Sequence, residues 1–201
     1  MTVQQKKETM ARIVEALKEI YPAAECALEY QGESWKLLVL ARLSAQCTDK
    51  RVNMTTPALF ERYPTAEEMA KASAEEIYEY IKSISYPNNK AKHLVGMAQK
   101  LCSDFGGEVP DTLEELTTLP GVGRQTAHVI TAVCFGQPTM AVDTHIFRVA
   151  NRIGLTKNAK NPLESEKQLT KYLPEHIIPQ AHHWLLLHGR YTCQARKPKC
   201  E

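Results

Sequence analysis

The chain predicts an all-α fold, and three observations carry that expectation. Apolar residues recur at helical spacing, as in the first stripe of Met10, Ile13, Val14, Leu17 and Ile20. Three capping-box patterns mark helix starts: Thr65 with Glu68, Ser73 with Glu76, and Thr112 with Glu115. No stretch sustains period-two alternation, so no sheet is expected.

The elements follow in order. A first amphipathic helix contains Met10 to Ile20. "SWKLLVLARLSAQ" is apolar on most sides, which predicts a buried central helix started by Ser34. The capping boxes start three more helices. Another runs from about Asn89 through "KAKHLVGMAQKLCSDF" and stops at Gly106-Gly107. A turn at 119–123 opens a helix from Arg124 to about Phe135. Later helices are expected near 144–152, 163–173 and 178–188. No low-complexity linker and no solenoid period interrupts this pattern.

Composition bounds the function. With 201 residues, 43% hydrophobic and 24% charged, the chain can bury a real core as one domain or two small ones. A net charge of only +2 neither demands nor excludes nucleic acid, so any basic surface must be local. No apolar run reaches the ~18 residues of a membrane span. The N-terminal segment is amphipathic and contains acids, which makes it a poor signal peptide. A cytoplasmic or nucleoid location is expected, with the six cysteines serving as thiols or metal ligands rather than disulfides.

Two stretches suggest chemistry. In "LPGVGRQTAHVI", Pro120 fixes its own φ, while Gly121 and Gly123 permit angles that other residues resist. Val122 between them can point inward as an anchor. Free amides at the start of the next helix make an anion site that a DNA phosphate fits. The segment "TLEELTTL" before the turn completes a helix–hairpin–helix; a plain connector between packed helices is the competing reading. Eighteen residues beyond Gln125, "AVDTHIFRVANR" sets Asp143 before an apolar-periodic segment. Asp143 reads first as an N-cap. A helix N-terminus also holds a carboxylate ionised, ready as a base or as a partner for a developing cation. Arg148 and Arg152 read either as phosphate ligands or as solvated surface.

Taken together, "LPGVGRQTA", "AVDTHIFRV", "LSAQCTD" and "HHWLLLHGRYTCQARKPKC" resemble the endonuclease III family of DNA base-excision glycosylases. The resemblance runs from about Glu25 to the last residue. It implies a two-lobed helix–hairpin–helix glycosylase fold. One helical lobe, 25–136, carries the hairpin; 1–24 and 137–201 form the second, with an incomplete iron–sulfur loop. It further implies double-stranded DNA containing damaged bases or abasic sites as the partner of a monomer. A damaged base, an oxidised pyrimidine by family, flips out and its N-glycosidic bond breaks through an oxocarbenium-like sugar.

The resemblance also assigns residues. Asp143 matches the family's catalytic carboxylate. Gln46 matches a residue that fills the gap left by the flipped base, and Tyr86 falls where relatives place a wedge on the opposite strand. Unaided, Gln46 reads as a capping or core-edge amide and Tyr86 as a half-buried loop residue. Leu119, Gly121, Val122, Gly123 and Arg148 complete the expected DNA contacts. Cys193 and Cys200 match two of the four ligands of the family's 4Fe–4S cluster. Either the sequence stops inside the cluster loop or the cluster is lost, and the stop after "KPKCE" favours the first. Without a cluster the loop is expected to be disordered. Cys26, Cys47, Cys102 and Cys134 read as core thiols, and "HHW" at 182–184 lacks a third residue for zinc.

Gln125 departs from the family. Bifunctional relatives have a lysine there, whose amine attacks the sugar C1′ and permits strand cleavage. An amide nitrogen has no usable lone pair. His128 also departs, from the family's asparagine. Adenine-removing relatives need a glutamate on the buried helix, and "LLVLARLSAQ" has none. The expected activity is therefore base release with the abasic-site lyase step impaired. A helix–hairpin–helix protein that binds lesions without turnover is the alternative.

Overall fold

In a computed structural model, residues 3–199 are described, and all regular structure among them is helical. The chain divides into two compact units: Met1–Cys26 with Gly136–Glu201, and Ala27–Phe135. No helix among the described residues is long and apolar enough to cross a membrane.

The 27–135 unit is built around α2 (Ser34–Ser44), where Leu37, Leu38, Val39, Leu40 and Leu43 are all fully buried. Each such side chain stabilises the fold by roughly 1.5–3 kcal/mol. Ser34 is the first helical residue; the cap position is Glu33, whose side chain makes no capping bond. α3 (Asp49–Arg62) follows, with Thr48 accepting from the Arg51 amide. Its polar composition and internal Pro57 hide it from periodicity, because proline removes a helical N–H. α4 (Ala66–Ala70), α5 (Ala74–Ile81) and α6 (Pro87–Phe105) pack together. Only Ser73 and Glu76 form the full reciprocal box; Thr65 and Thr112 cap their N3 amides without the return bond from glutamate to cap backbone. α6 stops where expected, at Gly106 with φ 61°. The one-turn helix α7 (Leu113–Leu116) then leads through the turn into α8 (Arg124–Phe135).

The other unit has its own core. Met10, Val14 and Leu17 of α1 (Val3–Ile20) share it with Ile146 and Val149 of α9 (Thr144–Arg152). Leu169 of α10 (Pro162–Tyr172), with Trp184 and Leu185 of α11 (Ile178–Tyr191), completes it. The stripe expected at Met10, Val14 and Leu17 is thus buried, whereas Ile20 is exposed.

Candidate nucleic-acid site

The hairpin is set by burial and by one glycine. Leu119 and Val122 are buried, and the Val122 amide donates to the Leu119 carbonyl at 3.1 Å. The two side chains anchor the turn from inside, so Leu119 and Val122 can offer a phosphate only backbone, and the Val122 amide is already used. The amides of Gly121 and Gly123 have no acceptor among the described residues. They leave the donor pair that an anion needs.

Gly121 and Gly123 differ. Gly121 has φ +77°, and a Cβ there would stand 2.5 Å from Arg42 Nε and 2.9 Å from His93 Cγ. Gly123 needs no unusual angle, and a Cβ there would meet nothing within 4 Å. Conformation and packing therefore both demand glycine at 121, while 123 is small only toward open space. Beneath the turn, Arg42 Nη2 donates to His93 Nδ1 at 2.7 Å, since arginine can only donate. Burial and the Arg42 charge both push the His93 pKa down, which keeps that nitrogen an acceptor.

Gln125 lies exposed in the first turn of α8, while His128 is buried. Gln46 and Tyr86 are drawn together. Both adopt left-handed backbone, with φ 55° and 56°, which non-glycine residues rarely do. The Ser85 hydroxyl donates to the Gln46 carbonyl. Tyr86 is 64% exposed, not half-buried, and forms the N-cap of α6.

Asp143 belongs to the other unit. It is the N-cap of α9, with Oδ1 accepting from the Ile146 amide at 2.8 Å. That bond fixes the carboxylate and leaves Oδ2 available. The segment leading to Asp143 is buttressed by His182, whose ring bonds the Ala141 backbone. Complete burial, with His183 beside it, pushes the His182 pKa down to about 3. Nothing in "HHW" revealed this role, because it depends on where α11 packs.

Arg148 and Arg152 are both engaged by backbone carbonyls. Arg148 Nε donates to the Cys193 carbonyl at 3.1 Å and Nη2 to the Gly189 carbonyl at 2.8 Å, with a longer contact to Thr144. Arg152 donates to the carbonyls of Gln194 and Ala195 at 2.7 and 2.8 Å. Both guanidinium groups brace the loop after α11, so neither is simply solvated surface. The described part of that loop is held by these bonds and by the Lys199 amide on the Thr192 carbonyl. Cys193 is buried in it, and Cys200 lies outside the described residues. Among the described residues no three His, Cys, Asp or Glu are gathered to hold a metal, at "HHW" or elsewhere. Among the described residues Cys193 is the one cysteine of that loop, so they do not by themselves make up a four-thiolate site.

An all-helical fold with a phosphate-ready hairpin and a capped carboxylate defines a helix–hairpin–helix glycosylase. The profile of the HhH-GPD superfamily of base excision DNA repair proteins matches residues 39–175. The chain belongs to the endonuclease III family within it. It is 46% identical to endonuclease III of Rickettsia felis, over 95% of this chain and 91% of that one. It is 41% identical to endonuclease III of Escherichia coli, over 96% and 91%. A solved non-covalent endonuclease III–DNA complex superposes with a TM-score of 0.92 at 38% identity, covering all of this chain and 91% of the other.

Proposed function

We propose that this base-excision glycosylase releases oxidised pyrimidines from double-stranded DNA and leaves the abasic strand largely uncut. The carrying observation is the contrast between two positions. Asp143 is fixed by the Ile146 amide with an oxygen to spare, whereas the first turn of α8 presents an amide at Gln125 instead of an amine. The carboxylate can stabilise a cationic sugar and accept a proton from water. The glutamine cannot form a Schiff base, so hydrolysis replaces lyase chemistry. The hairpin amides of Gly121 and Gly123 hold the DNA backbone, independent of sequence. Gln46 and Tyr86 occupy the space vacated by the flipped base.

The family is generally iron–sulfur-containing; in this reading Cys193 and Cys200 are two of four thiolates, and the cluster would supply structural support to the loop. A monomer acting in the cytoplasm or on the nucleoid fits this function. The test is a single-turnover reaction on a duplex with one thymine glycol. Free base should accumulate well ahead of strand nicks. Tight binding without base release would instead favour the non-catalytic lesion-binding alternative.

A further inference from the structure

We infer that the Gln46 and Tyr86 loops form one clamp, locked by Ser85 and Lys90 as positioning residues, and that the two tips enter the duplex as a unit. The inference rests on the reading that Gln46 and Tyr86 fill the space left by a flipped base.

A closed ring of bonds carries it. The Ser85 hydroxyl donates to the Gln46 carbonyl, tying the residue before one tip to the other tip itself. The Tyr86 carbonyl accepts from the Lys90 amide at 3.1 Å. Lys90 Nζ then returns to the first loop, donating to the Ala45 carbonyl at 2.6 Å and the Leu43 carbonyl at 2.8 Å. Starting at Ala45, the ring runs through Gln46, Ser85, Tyr86 and Lys90 and back. Thr55 and Ser83 hydroxyls, 3.2 Å apart, add a link from α3 to the same segment.

Lys90 is the informative member. It is only 2% exposed, and among the described residues no carboxylate bonds its ammonium. A buried ammonium is costly unless its protons are satisfied. Its acceptors are carbonyls at the C-terminal end of α2, where the helix dipole favours a cation. An apolar side chain could fill the same volume. What it could not do is hold the Ala45 carbonyl, one residue before Gln46, to the helix that Tyr86 begins. The matched left-handed conformations at Gln46 and Tyr86 need such enforcement, because neither residue prefers them.

The test is a double-mutant cycle on the intact protein. The probe is a duplex carrying a tetrahydrofuran abasic analogue opposite 2-aminopurine, whose fluorescence reports unstacking at the vacated pair. Gln46→Ala and Tyr86→Ala are measured singly and together, in the parent and in a Ser85→Ala background. A clamp predicts that the two tip losses are strongly non-additive in the parent and become additive once Ser85 is removed. Ser85→Ala alone should slow the fluorescence change about fivefold, as loss of one hydrogen bond does, with undamaged-duplex affinity within about twofold. Ser85→Thr should restore the parent behaviour. Lys90→Met should reproduce the decoupling if it folds; the Ser85 series decides the matter if it does not. Additive tip losses in the parent, or a cycle unchanged by Ser85→Ala, would overturn the clamp while leaving the void-filling reading intact. If neither tip substitution alters the signal, the void-filling reading itself fails and the clamp with it.

Discussion

Replacing Asp143 separates the two jobs its carboxylate holds. Oδ1 caps α9 by accepting the Ile146 amide at 2.8 Å, and in the proposed function the remaining charge serves the sugar. Asparagine retains an acceptor oxygen and is as good an N-cap as aspartate, so Asp143→Asn should change stability by no more than ~0.5 kcal/mol. Alanine abolishes the cap and should cost about 1 kcal/mol, or roughly 2–4 °C in Tm for a chain of this size. Both remove the charge. Losing an electrostatic stabiliser of a developing ion costs ~10²–10³ in rate, about 2.7–4 kcal/mol of barrier. The two variants should therefore differ in Tm yet coincide in base release. Affinity for the lesion duplex should hold or rise, since a negative charge near phosphates has gone. The assay is single-turnover release from a thymine glycol duplex, beside thermal melts. If Asp143→Asn releases base at more than a tenth of the parent rate, or if rate loss follows Tm loss across the pair, the carboxylate is only a cap.

Three further outcomes follow from the geometry. Gly121→Ala forces a Cβ against Arg42 and His93 at φ +77°, so it should weaken binding to damaged and undamaged duplexes alike and lower Tm; Gly123→Ala should melt like the parent. Equal melting losses at the two positions, by differential scanning calorimetry, would contradict this. Gln125→Lys should introduce borohydride-trappable crosslinks and strand nicking on abasic DNA, and strong trapping by the glutamine protein would show that another amine acts. His182 accepts a proton far more readily unfolded, near pH 6.5, than folded, at about 3. Its contribution to stability is complete above pH 6.5 and is lost progressively as pH falls from there toward about 3. At about 1.36 kcal/mol per unit, the loss reaches roughly 2 kcal/mol by pH 5. His182→Gln should reduce the pH dependence of Tm between 7 and 5, leaving the slope from His93, His183 and His188, which are lowered in the same direction. An unchanged slope would place the acid sensitivity elsewhere.

What could be read ahead of the structure divides along a physical line. Helix starts at Asp143 and Ser73 and the stop at Gly106 were readable because caps are local: a side chain answers an amide three residues away, or a glycine accepts a left-handed angle. α3 was missed although Thr48 caps it, because Pro57 and a polar composition removed the apolar periodicity that would have followed the cap. The same line runs through the site. The hairpin and the capped carboxylate are contiguous segments whose chemistry is written in neighbouring residues. Arg148 and Lys90 are long side chains whose partners lie 45 and 47 residues away, and no spacing rule says whether such a charge faces water or a carbonyl. Gln46 and Tyr86 share a conformation that neither residue type advertises. The proposed hold on DNA and the proposed stabilisation of a cation therefore rest on the local features. The distant bonds set how firmly the chain presents the two tips. Variants in the first group should change binding or chemistry outright, and variants in the second should change the coupling between steps.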